Sequence, residues 1–131
     1  MEQFYTRDKA NEGIKVPLHA PDGTKTEHWL LIRGVDSDEF RRAEAEAQRK
    51  LATFAADKDK SELEKIYDEL FSGLRAHLVA RWSFDKECTI EAVTELFKNA
   101  PQIADMANRI GGNRSLFFAS KSSSLKSSPE Q

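Results

Sequence analysis

Residues 27–43 read EHWLLIRGVDSDEFRRA, and this passage decides the fold. Trp29-Leu30-Leu31-Ile32 is a short apolar run rich in strand-forming residues, and it stops at Gly34. Asp36 and Glu39 then stand at capping-box spacing, with Asp in place of the usual Ser or Thr. Phe40, Ala43, Ala47, Leu51 and Phe54 follow at three- and four-residue steps. A strand therefore turns directly into an amphipathic helix, expected over 36–56.

Upstream, Ile14, Val16 and Leu18 alternate with Lys15 and Pro17. Pro21-Asp22-Gly23 separates this run from the Trp29 strand. Proline presets φ for a turn and glycine supplies the positive φ that closes it. The two runs predict a β-hairpin. Its first strand is placed at an edge, because Pro17 has no N–H to give to a ladder. The second strand is apolar on both faces at its centre, so one face is expected to cover the helices and the other to meet a partner.

Downstream, Ser61 and Glu64 form a second capping-box pair. Leu63, Ile66, Tyr67, Leu70, Phe71, Leu74, Leu78, Val79 and Trp82 then recur at helical spacing. A second helix over 61–82 is expected, antiparallel to the first, with Gly73 allowing close approach and Leu70 in the core. Thr89 is a cap for a helix carrying Ala92, Val93, Leu96 and Phe97. Pro101 suits the first position of the next, and Gly111-Gly112 end it. Asn113 caps a last turn with Leu116, Phe117 and Phe118. The fold class expected is α+β, mainly α. An N-terminal β-hairpin segment (1–35) precedes a helical domain (36–118), which holds the antiparallel pair and two to three shorter helices. A Ser/Lys-rich tail (119–131) is expected to be disordered.

The chain has 131 residues, of which 39% are hydrophobic and 32% charged, enough for one modest core under a large solvated surface. Its formal net charge of -2 argues against a dedicated nucleic-acid binder. Cys88 stands alone, so no intramolecular disulfide can form. No apolar run reaches the roughly 20 residues of a membrane span, and MEQFYTRDK lacks a signal-peptide core. A reducing, cytoplasmic setting with no membrane partner is the expectation.

Chemistry of catalysis finds no positive pattern. His19, His28 and His77 lack metal-ligand spacing, and neither a nucleophile elbow nor a phosphate loop occurs. The carboxylates read as solvated salt-bridge faces. The chain is therefore expected to be no enzyme and to hold no cofactor or metal. The distinctive feature is apolar surface at the ends of segments: Phe4, Tyr5, Trp29, Trp82, Phe84, Leu116, Phe117 and Phe118. These residues either close the ends of the core or anchor a partner protein. Residues 61–100 carry 5 basic and 8 acidic groups, and residues 101–131 carry 4 and 2. Such segments favour weak, salt-screened head-to-tail self-association.

The run from Trp29 to Ala43 resembles the strand-to-helix passage of tail assembly chaperones of long-tailed (siphovirus-type) phages and prophages. The resemblance continues through Trp82, Cys88-Thr89, Glu91-Ala92-Val93, Leu96, Asn99-Ala100-Pro101, Ile103-Ala104-Asp105 and Phe117-Phe118, so that it covers about residues 27–128. It implies a non-enzymatic holdase of the host cytoplasm. Such a protein coats the tape measure protein during tail tube assembly, self-associates around it and is absent from the mature virion. Trp29, Trp82, Phe84, Leu116, Phe117 and Phe118 are the candidate partner-binding residues. Many members of the family also have a longer form made by a programmed ribosomal frameshift, whose extension would reach the tail tube protein. The codons of Ser124-Leu125-Lys126 are the favoured slip site here, and those of Leu116-Phe117-Phe118 the other. The alternative reading is a small helical adaptor or DNA-binding regulator, with a helix-turn-helix around 101–118 that offers Arg109 and Arg114.

Overall fold

The computed structural model describes residues 1–118. The expected disordered tail, 119–131, and the favoured slip site lie outside the described residues. The strands are β1 (Ile14–His19), β2 (Lys25–Ile32) and β3 (Val79–Trp82). The α-helices are α1 (Arg7–Glu12), α2 (Asp38–Ala55), α3 (Lys60–Ser72), α4 (Ile90–Asn99) and α5 (Pro101–Gly111). Short 3-10 turns cover Glu2–Phe4, Gly73–Leu78 and Arg114–Leu116. The mainly helical α+β architecture, with its N-terminal hairpin and antiparallel helical pair, is as expected.

The hairpin pairs Val16 with Leu30 and Pro17 with Trp29, and β1 is an edge strand. Gly23 closes the turn at φ +91°. Asp22 fixes it from inside by accepting the backbone N–H and the hydroxyl of Thr24. The sheet order is β1-β2-β3, antiparallel throughout.

The third strand corrects the expected helix over 61–82. Helical geometry stops at Ser72. The chain then tightens into the 3-10 turn, where Leu74, Ala76 and Leu78 are all buried, and extends as Val79–Trp82 against β2. Leu74 and Leu78 keep a helix-like spacing, so periodicity alone could not mark the change. The ladder to β2 outweighs it, and Val79 and Trp82 are good strand residues. Gly73 is the C-cap of α3 and a Cβ there would meet nothing, so it does not serve close helix packing. The residues 36–118 thus supply a strand to the hairpin, and the stretches split at residue 35 share one core. That core joins Leu18, Leu30 and Ile32 to Phe40, Leu74, Leu78, Val93, Phe97, Ala104 and Ala107. A further departure is α1, which sits in the stretch read as β-like.

Two caps differ from the expected ones. Ser37, fully buried, caps α2 by accepting the N–H of Phe40, and Asp36 is free for other partners. Asp59, not Ser61, caps α3 in a reciprocal box with Glu62, at 2.9 and 3.2 Å. Both residue pairs fit the box pattern. The earlier one starts α3 directly after the residue 56–59 connection. Thr89, Pro101 and Asn113 take the positions expected of them.

The loop between β2 and α2 ties remote segments together. Arg33 N–H donates to Leu78 O, Gly34 N–H to Ala10 O and Val35 N–H to Gly111 O. Gly34 permits the close approach: a Cβ there would lie 2.8 Å from Ala10 Cβ and 3.3 Å from the Phe117 ring.

Candidate interaction surfaces

The helical pair α2–α3 has little core beneath it. In α2 only Phe40 and Ala47 are buried, and in α3 no residue is. Yet both helices carry apolar stripes. Leu51 and Ala55 of α2 face Leu63 and Tyr67 of α3 across a shallow groove, flanked by Lys60 and Glu64. Tyr67 is 50% exposed and stacks on Phe71 with ring centroids 4.4 Å apart, and Phe54 is 41% exposed. A second groove on the same pair is lined by Ala43, Ala47, Leu70 and Leu74, with Glu46, Lys50 and Glu69 at its rim. The pair is an arm whose apolar faces are only half satisfied by each other. The spacing places Leu70 in the core, whereas it lines this second groove and is half-buried. The stripe was visible in the spacing, but its exposure depends on where the sheet and α4–α5 sit.

Of the residues expected to bind a partner, Phe117 is 1% exposed. It packs over Gly34 beside Ala10, so it is a core residue and not a free anchor. Leu116 and Phe118 beside it are half-buried. Trp82 and Phe84 meet edge-to-face at 5.2 Å, and both pack partly on the core. Phe84 also lies against the His28 ring at 4.5 Å. His28 Nδ1 is hydrogen-bonded to Ser83 Oγ, which accepts the Trp29 N–H. Trp82 Nε1–H donates to Lys86 O. This cluster closes the end of the sheet between β2 and β3. Trp29 lies apart from it, on the other sheet face, with Lys15 Nζ 4.4 Å from its ring centroid. Phe4 and Tyr5 are exposed.

Charged groups tie the segment around α1 and the turn at Arg114 to the start of α2. Asp36 accepts Arg114 Nε and Nη2 at 2.7 and 2.9 Å and Thr6 Oγ1 at 2.7 Å. The Arg114 hydrogen bonds hold the Asp36 carboxyl below the usual carboxylate range; burial opposes this, while Thr6 and the charges of Arg114 and Arg41 reinforce it. Arg7 and Asn11 similarly engage Asp38. Burial pushes the Glu39 carboxyl up, but its hydrogen bond to His77 and the charges of Arg42, His77 and Arg33 leave it lowered. Burial raises the Cys88 thiol, which disfavours the nucleophilic thiolate. Among the described residues, no group of three or more His, Cys, Asp or Glu side chains could hold a metal ion. No helix among them is long and apolar enough to cross a membrane.

No protein-family model, curated protein or solved structure matches the chain.

Proposed function

We propose that the protein is a non-enzymatic tail assembly chaperone of a long-tailed phage or prophage, binding the tape measure protein in the host cytoplasm and leaving before the virion is complete. The observation that carries this reading is the α2–α3 arm, whose apolar stripe stays half-exposed along Leu51, Phe54, Leu63 and Tyr67. A tape measure protein before assembly presents long apolar helical stripes, and a helix laid in such a groove shields them. The sequence resemblance supplies the identity of the partner. Weak self-association around that partner, and a longer frameshifted form reaching the tail tube protein, belong to the same proposal. In the alternative, a DNA-binding regulator, Arg114 would have to face phosphate. It is instead engaged by Asp36, which weighs against that use.

Co-expression with a tape measure protein tests the reading. The wild-type chain should move that partner into the soluble fraction. Leu63→Glu/Tyr67→Glu should abolish the effect while leaving circular dichroism unchanged, since neither side chain is buried. A partner that stays insoluble beside the wild-type chain would defeat the proposal.

A further inference from the structure

We propose that the solvent-facing side of the three-stranded sheet is a docking surface for an acidic peptide segment that also carries apolar side chains. This surface lies apart from the α2–α3 arm and does not depend on the chaperone reading.

The strand register defines the face. Val16, Leu30 and Ile32 point to the core, so Lys15, Pro17, Trp29 and Leu31 point away from it. Arg81 joins them, because it pairs with Leu31 as Lys15 does from the other side. A row Lys15–Leu31–Arg81 therefore crosses all three strands, with Pro17–Trp29 as the next row. None of these five residues is buried. The face is an apolar patch of Pro17, Trp29 and Leu31 bordered by cations.

Its charge is one-sided. Alternation along β2 adds Lys25 and Glu27 to this face, giving three cations (Lys15, Lys25, Arg81) and one carboxylate. None of the three cations has an ion-pair partner among the described residues, whereas Arg7, Arg42 and Arg114 all do. Two cations held on either side of Leu31 suit a segment that lays an apolar side chain on the patch and carboxylates beside it. A chain of alternating acidic and apolar residues does this in extended form, since one face is apolar and the other carries the charges. Single-stranded nucleic acid fits less well. Base stacking needs open aromatic faces, and the one aromatic ring here already has Lys15 over it.

The test uses the full chain with Trp82→Phe, so that fluorescence reports Trp29 alone. The probe is a short synthetic peptide of alternating glutamate and leucine. The controls are the same peptide with lysine for glutamate, and oligothymidylate. The glutamate peptide should change Trp29 emission saturably, and added salt should weaken the binding. Lys15→Glu/Arg81→Glu should weaken it by roughly tenfold or more. If that variant loses its circular dichroism, Lys15→Gln/Arg81→Gln replaces it, with a smaller loss expected in the same direction. No saturable change with the glutamate peptide, equal binding of the lysine peptide, indifference to both variants, or tighter binding of oligothymidylate would each overturn the proposal.

Discussion

Asp36 shows how much one carboxylate organises. Its side chain is 15% exposed and joins Thr6, before α1, to Arg114, in the last turn, across the loop that starts α2. Replacing it with asparagine removes the charge while keeping the shape. Asp36→Asn should cost about 1–2 kcal/mol at pH 7, less than a buried pair would give because Arg114 is more than half exposed. The sign of the pH dependence follows from the lowered carboxyl. The native state favours the ionised form, so the contribution is complete above the unfolded value of about 3.9 and is lost as pH falls through the lower native value. Denaturant titrations of both proteins at pH 7 and in strong acid should show a gap that closes in acid. A gap unchanged in acid would mean that the charge is not what matters.

At the scale of elements, α3 and the 3-10 turn after it behave as opposites despite one continuous apolar pattern. Leu70 lines a groove and is half-buried, whereas Leu78 is 0% exposed in the core. A loss of about 2–5 kcal/mol, the cost of truncating a core leucine, therefore belongs to Leu78→Ala. Leu70→Ala should cost about 1 kcal/mol, because only part of its surface leaves water on folding. Equal losses from the two variants in urea titrations would place α3 in the core after all. The legible part here was helix existence: the spacing from Leu63 to Phe71 marks α3 correctly. The boundary was not legible, because a 3-10 turn and a strand can carry leucines at steps that a helix would also use.

For the whole molecule, the shared core predicts cooperativity. Leu18, Leu30 and Ile32 of the hairpin contact a cluster drawn from α2, the 3-10 turn, α4 and α5. The β2–β3 ladder binds the two stretches further. Trp29 and Trp82 should therefore report the same unfolding midpoint, read separately in the two single Trp→Phe variants and matched by circular dichroism. A chain lacking residues 1–35 should not fold, since β3 would lose β2, the strand it pairs with, and the core would lose Leu18, Leu30 and Ile32. Two separated midpoints would mean that the hairpin and the helices unfold as separate units.

The sequence by itself determined the hairpin, its edge strand and turn, the existence of both long helices, the caps Thr89 and Asn113, and the start of α5 at Pro101. These rest on local rules: alternation, three-and-four spacing, and residues whose own side chains close a turn or a helix end. The tertiary structure alone decided three matters. Val79–Trp82 became a strand because β2 offered a ladder. Phe117 went inside because Gly34 left room beside Ala10, whereas Leu63 and Tyr67 stayed partly outside because no layer among the described residues covers the arm. Asp36 gave up its expected cap to Ser37 and took Arg114 and Thr6, partners 78 and 30 positions away. In each case the deciding neighbour is distant in sequence, and a pattern read along the chain carries no record of which distant surface will arrive.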